Sequence, residues 1–309
     1  MSAQILGTGW VAPAPSLRVE GFPEESDPKL RRLPRLERMA LAAARGALGA
    51  AGAGSSPSRG LVLGTGYGGL TATVDFLEAL ASRGFAFGSP TAFHQSVHHS
   101  SAGQISIALG LRGPSLTVSA RELTGETALS AGLELLESGR AESVLVVAVD
   151  ERIPVLDAGY RAFGVSEHFK LGEGAASVLL GKGAGGLQVE RCTLTAHPSA
   201  ALRFATPEQF APLLRETLGG VADAARGISL AAPNAEVECA EVEAMEQANA
   251  RVERWADTRR FGFHPSAGLL RLVASAEQLR TCPPGSACVL HGLAFGGGQS
   301  LTVLRHALS

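Results

Sequence analysis

Residues 113–139 read GPSLTVSARELTGETALSAGLELLESG. An apolar run suited to a buried strand, GPSLTVSA, gives way to a short polar turn. A stretch with helical spacing of apolar residues, ETALSAGLELLESG, follows. A strand that enters a helix through a sharp elbow is how several α/β folds present a Ser or Cys nucleophile. Here the turn supplies Arg121, Glu122, Leu123 and Thr124. The elbow is present, and a thiol is not.

Working outward, the same alternation recurs. QILGTGWVA, GLVLGTG, SVLVVAVDE and AASVLLGKG read as buried strands, and PRLERMALAAARGALGAAG and TATVDFLEALASRG as helices. After about Gly186 the texture repeats. GLQVERCTLTA, GISLAAPN, SACVLHGLA and SLTVLRHAL read as strands, and PEQFAPLLRETLGGVADAA, CAEVEAMEQANARVERW and SAGLLRLVASAEQLR as helices. Short Val/Ile/Leu runs separated by helices predict an α/β protein whose sheets are covered on both faces. The economical division is two fused α/β halves, 1–185 and 186–309.

The bulk composition agrees with a folded, soluble protein. The 309 residues are 45% hydrophobic and 18% charged, and the 38 glycines cluster beside apolar runs, as tight strand-helix turns require. A net charge of −2 gives no reason to expect nucleic acid or a membrane surface as partner. No run approaches the roughly 18 apolar residues of a membrane span, and the start lacks the features of a secretion signal. A cytoplasmic location is therefore expected. Cys192, Cys239, Cys282 and Cys288 show no C-x-x-C or zinc-type spacing, so they read as reduced, structural thiols. No metal site and no cofactor is expected.

Individual motifs carry both functional and ordinary readings. GTGYGG, residues 64–69, formally fits a dinucleotide loop, but no strand ending in an acidic residue follows about 20 residues on. A turn where backbones pack closely explains it better. His98 and His99 are adjacent, so their side chains diverge and suit a surface, loop or interface pair rather than one metal. Ser119 and Thr124 are nucleophiles only with a base in reach, and Thr124 with Glu126 suits a helix cap. Glu122 at a helix head is stabilised by the helix dipole, and a structural role ranks above general base. His264, in FGFHPSAGLL, sits just before a helix where an imbazole facing a pocket would be placed, and it is the one candidate catalytic residue. The glycine run Gly296–Gly298, after Phe295, permits either backbone N–H donation to an oxyanion or a tight hairpin.

Taken together, GTGYGGL, GSPTAFHQSVHHSSAGQISIALGLRGPSLTVSA, ETALSAGLELLESGRAESVLVVAVDE and LGEGAASVLLG resemble the β-ketoacyl synthase branch of the thiolase-fold family in order and spacing. The resemblance covers nearly all of the N-terminal half. Within that family the chain is most similar to small homologues known as chain-length factors. It implies a thiolase-like fold of two fused α/β halves in a layered α-β-α-β-α architecture.

In active members of the family, GPSLTV is followed by Asp-Thr-Ala-Cys, whose Cys is acylated. The ungapped count places Ser119, Ala120, Arg121 and Glu122 there, so Glu122 stands at the nucleophile's position. The first 191 residues contain no Cys. The same resemblance puts Leu230 at the first catalytic histidine, with Glu238 and Glu241 keeping the acidic pair that follows it. His264 matches the second histidine, and FGGGQS matches a late turn, with Phe295 as its aromatic residue. The chain is shorter than typical members, which implies trimmed loops around an acyl tunnel.

Three functional expectations follow. The first is a catalytically deficient, chain-length-factor-like subunit that pairs with an active ketosynthase in type II fatty-acid or polyketide (aryl-polyene-like) biosynthesis. Its partners would be that ketosynthase, or a second copy of itself, and an acyl carrier protein. The second is a malonyl-carrier decarboxylase that supplies starter units. The third is a Cys-independent acyltransferase or an acyl-binding homodimer. The expected pocket comprises Ser119, Arg121, Thr124, Phe295, Gly296 and Gly297 around Glu122.

Overall fold

The computed structural model describes residues 3–22, 28, 30–54, 56–164, 169–248, 250 and 252–308, with Asp257 described by its backbone only. In the first half β1 (Ala3–Val11), α1 (Arg35–Ala50), β2 (Gly60–Gly64) and α2 (Leu70–Arg83) lead to α3 (Pro90–Ser96) and α4 (His98–Leu109). Then come β3 (Ser115–Val118), α5 (Thr124–Glu137), β4 (Ser143–Asp150), α6 (Pro154–Ala162) and β5 (Gly174–Gly181). The second half runs β6 (Leu187–Ala196), α7 (Pro207–Gly219), β7 (Ala225–Leu230), α8 (Ala235–Gln247) and β8 (Glu253–Asp257). It closes with α9 (Thr258–Phe261), α10 (Ala267–Leu279), β9 (Ala287–Ala294) and β10 (Gly298–His306).

The strands hydrogen-bond in the order β3-β2-β4-β5-β1-β6-β10-β9-β7-β8. Read from each outer edge inward, the two halves follow the same path: third strand, second, fourth, fifth, first. Their strands join where Ala3 and Gln4 of β1 pair with Val189 and Gln188 of β6. Parallel pairs (β2 with β3 and β4; β7 with β8 and β9) alternate with antiparallel ones in the same places in both halves.

Strand periodicity builds the layers. In β4, Val144, Val146 and Ala148 point to the same core as α5 and α10, whereas Leu145, Val147 and Val149 point to the opposite core with α1. In β9, Cys288 and Leu290 share the α5/α10 core, and Ala287 and Val289 face α7 and α8. Helices α5 and α10 are thus buried between the two halves, in a thiolase-like α-β-α-β-α arrangement. Glycine permits the closest approaches: a Cβ on Gly9 would lie 2.3 Å from Ala43 O of α1.

Some expected boundaries shift. The helical pattern over 239–255 ends at Gln247, and Glu253–Asp257 forms the edge strand β8. Pairing with β7 and the indole of Trp255, which lies so close over Gly227 that a Cβ there would come within 2.1 Å of it, override the local helical spacing. Helix α7 stops at Gly219 rather than continuing to Ala225, which starts β7. His98 and His99 are exposed and open α4.

Candidate functional site

The elbow lies where β3 ends and α5 begins. Arg121 takes a left-handed backbone, φ 50°, which costs a non-glycine residue energy and must be held by its surroundings. Thr124 does much of the holding. Its hydroxyl donates to Arg121 O (2.6 Å) and accepts from Ala120 N (2.9 Å). Thr124 is therefore fully buried inside the turn, and Leu123, not Thr124, occupies the cap position of α5.

The two central residues of the elbow grip one residue of the β9–β10 turn, Phe295, by its N–H and its carbonyl. Phe295 N–H donates to Glu122 Oε2 at 3.0 Å. Arg121 Nη1 donates to Phe295 O at 3.1 Å and to Ala201 O at 3.0 Å. Arg121 thus reaches backbone carbonyls rather than its neighbour's carboxylate. Burial pushes the Glu122 carboxyl above its ordinary range, against the Glu122 and Phe295 backbone amides and the Arg121 charge, which pull it down.

Glu122 lines a pocket of about 430 Å³, within the size range of small-molecule sites. Its walls come from both halves. Gly66 and Tyr67 follow β2, Ser119 and Arg121 belong to the elbow, and Val155, Leu156, Gly159 and Tyr160 come from α6. Phe163, just past α6, joins Ala201, Leu202, Pro265 and Phe295 to complete an apolar enclosure. The Tyr67 and Tyr160 hydroxyls are hydrogen-bonded at 2.9 Å, and burial pushes both phenols up, so they remain neutral. Phe295 also belongs to an aromatic cluster. Phe204 stacks on it at 4.5 Å, and Phe169 stacks on Phe263 at 4.6 Å.

Of the residues expected at the site, Ser119, Arg121, Glu122 and Phe295 line this pocket, whereas Thr124, Gly296, Gly297 and His264 do not. Gly296 and Gly297 form the hairpin turn, with φ of 80° and 86°, and a Cβ on Gly297 would lie 2.0 Å from His197 O. Their role is the turn itself. His264 is buried, with Pro265 taking the pocket-lining place beside it. Its Nδ1 is 3.3 Å from Ser266 Oγ and its Nε2 has no partner. Burial pulls its pKa down to about 3, so the ring is neutral. Leu230, at the end of β7, is buried in the core of the second half.

Several residues that organise the site escaped sequence reasoning. Asp150, at the end of β4, accepts from Thr65 Oγ1, Gly66 N and Tyr67 N through one oxygen and from Ser266 Oγ, at 2.6 Å, through the other. It ties the glycine-rich loop to the segment carrying His264, and burial lifts its pKa to about 6. Gly66 is required there because a Cβ would lie 2.2 Å from Pro265. Glu241, by contrast, was already named by the resemblance as the second acidic residue of the pair; it is buried and accepts from Ala231 N, Ala232 N and His291 Nδ1. The visible signal for the Asp150 site was an acidic residue ending a wholly apolar strand. For the pocket wall it was the amphipathic PVLDAGYRA with Pro at the helix start.

All four cysteines are free, and none lines the pocket. Burial raises the Cys192 thiol to about 11, so it is inert as a nucleophile. Among the described residues no group of three or more His, Cys, Asp or Glu is arranged to hold a metal ion. No described helix is long and apolar enough to cross a membrane.

A two-half α/β fold with central helices and an elbow facing a hydrophobic pocket defines a thiolase-like protein. Residues 28–211 match the family model of the beta-ketoacyl synthase N-terminal domain, and the chain belongs to that family. Solved structures share its fold. The ishigamide ketosynthase/chain length factor superimposes with a TM-score of 0.81 at 19% identity, over 100% of both chains. A beta-ketoacyl synthase from Burkholderia phymatum STM815 gives 0.79 at 16%, over 99% of both. A type II polyketide synthase ketosynthase, bound to the hexaketide and in complex with its acyl-carrier protein, gives 0.80 at 16%, over 99% of both. No curated protein sequence matches the chain.

Proposed function

We propose that this chain is a ketosynthase-like subunit without condensing chemistry of its own. It pairs with an active ketosynthase in type II fatty-acid or polyketide (aryl-polyene-like) assembly and shapes the cavity that sets acyl length. The observation that carries this reading is Glu122 at the tip of the elbow. Claisen condensation needs an acyl thioester on a thiolate, and an acyl group on a carboxylate would be a mixed anhydride, too reactive to hold against water. The fold, the elbow and the apolar pocket persist around a residue that cannot carry the chain.

The open edge of the sheet supports association. Among the described residues strand β3 bonds to β2 alone, and Ser115 and Leu116 on it are exposed. The neighbouring elements α2, α3 and α4 expose Leu77, Phe93 and Ile107. An unpaired edge flanked by apolar side chains favours a partner subunit, a ketosynthase or a second copy of this chain. The similar structures include a ketosynthase/chain length factor and a ketosynthase with its acyl-carrier protein, so an acyl carrier protein is the further partner we assign.

The decarboxylase reading receives less support. Phe295 N–H, the donor a developing enolate would need, is taken by Glu122. His264 is buried away from the pocket lining. For a Ser119 or Thr124 acyltransferase, Thr124 is locked in the elbow, and among the described residues no base is hydrogen-bonded to Ser119.

The test is reconstitution of product formation from a ketosynthase encoded beside this chain and its acyl carrier protein, with and without this chain, reading product length by mass spectrometry. The expected result is a yield or length distribution that depends on this chain, with the two proteins co-eluting on size exclusion. A ketosynthase that performs identically alone, and never co-elutes, overturns the proposal. Carbon dioxide released from malonyl carrier protein by this chain alone, and abolished by His264→Ala, would establish the decarboxylase instead.

A further inference from the structure

Glu122 is half-buried and differs in what faces it from three buried carboxylates of this chain. Glu173 is held by both Arg35 guanidinium nitrogens, Glu126 by Arg271, and Glu241 by two backbone amides and His291. For Glu122, the one bond from another residue is that from Phe295 N–H to Oε2, and among the described residues no side-chain donor or cation is bonded to either oxygen. The charged group that reaches it electrostatically is Arg121, whose Nη1 donates to carbonyl oxygens of Phe295 and Ala201. Tyr67 and Tyr160 share the pocket and are the other titratable groups that sense its charge. Their hydroxyls are bonded to one another.

With the Phe295 amide on Oε2, and Glu122's own N–H the other amide near the carboxyl, Oε1 is the oxygen better placed to carry a proton. A proton there makes an O–H donor within a pocket whose enclosure is otherwise largely apolar. We infer that Glu122 acts as a neutral carboxylic acid that donates a hydrogen bond from Oε1 to the carbonyl of a non-covalently held acyl group. The ligand class is a neutral amphipathic acyl compound, such as a thioester, amide or ketone. This inference rests on the reading of the elbow pocket as an acyl site, and it names how that site recognises its occupant without a covalent bond.

The direction of the pH dependence follows. Burial has already raised the Glu122 pKa, and a carbonyl that accepts from the acid form raises it further by linkage. The hydrogen bond is present when Glu122 is protonated and is lost as pH rises through that raised value.

The test uses the full chain and two neutral probes measured by calorimetry: the S-octanoyl thioester of pantetheine, and the matching S-octyl thioether in which a methylene replaces the carbonyl. At acidic pH, where wild type remains folded by circular dichroism, the carbonyl probe should bind about three- to tenfold more tightly, the worth of one hydrogen bond. This preference should fade as pH rises. Glu122→Gln can keep the Phe295 N–H on its amide oxygen while presenting N–H to the pocket, so it should retain the preference and lose its pH dependence. Glu122→Ala should abolish the preference while both probes still bind. If both probes bind wild type equally at every pH, or octylammonium outcompetes the carbonyl probe at acidic pH, the donor role is wrong and the acyl pocket stands. If neither probe binds, the acyl-site reading falls with it.

Discussion

Glu122 and Glu126 lie one helical turn apart, and their surroundings separate a ligand-facing group from a scaffold group. Glu122 meets a cavity, a single amide from another residue and no side-chain partner. Glu126 enters the interior between α5 and α10, where Arg271 Nη2 approaches Oε1 at 3.3 Å. Arg271 also donates through Nη1 to Leu230 O (2.9 Å) and His291 O (2.7 Å), so it ties α5 to two strands of the second half. Gly268 and Gly292 leave the volume that the Glu126 carboxyl fills. Burial raises both carboxyls, but only Glu126 has a guanidinium on its oxygen to oppose that shift. The same residue type at two places four residues apart, one in the elbow and one in α5, is thus assigned by what its oxygens meet.

The largest effect is expected from breaking the scaffold member. Arg271→Met leaves Glu126 as an uncompensated buried charge and should cost about 3–5 kcal/mol in denaturant unfolding. The double substitution Glu126→Gln/Arg271→Met should recover part of that loss. A single variant that unfolds at the wild-type midpoint would remove the pair from the list of features joining the halves.

A smaller effect tests the space around Glu126. Gly268→Ala puts a Cβ 2.2 Å from that carboxyl and should destabilise by about 1–3 kcal/mol. Gly103→Ala in α4, where a Cβ meets nothing within 4 Å, should instead stabilise by about 0.5–1 kcal/mol. Equal effects at the two glycines would show that helix propensity, not the packed carboxyl, decides both.

The smallest effect belongs to Glu122 itself. Glu122→Gln should change stability by less than about 1 kcal/mol at neutral pH, because no ion pair is lost. Its signature is in the pH profile. A carboxyl with a raised folded pKa contributes stability that is fully present below its unfolded pKa and is lost as pH rises through the folded value. The wild type minus variant difference in unfolding free energy should therefore decline with rising pH across the carboxylate range. A difference that grows with pH would mean that Glu122 is stabilised as an anion, and would contradict the donor role.

How far the sequence could be read differs between these regions for the same reason. Strand and helix patterning gave the elements of both halves because buried strands and amphipathic helices record their neighbours every two or about 3.6 residues. The elbow was visible as a strand, a polar turn and a helix, and Glu122 as the residue at its tip. Edge strand β8 was not, since Trp255 gains its place from Gly227, a residue about 28 positions away in the chain. The pocket was legible only in part. Ser119, Arg121 and Phe295 could be named from the elbow and the late turn, whereas Tyr67, Tyr160 and Pro265 join it by tertiary contact.

Sequence by itself determined the α/β class, the repeated strand-helix texture and the absence of a thiol from the first 191 residues. Those properties are local or compositional, and one strand or one helix is enough to express them. Tertiary structure decided the rest: which carboxylate is paired, that Arg121 grips the Phe295 carbonyl and leaves Glu122 free of its guanidinium, and that His264 is sealed behind Pro265. Each of these depends on distances between segments more than 100 residues apart, set by the packing of α5 and α10 between the halves. A linear pattern does not record such distances.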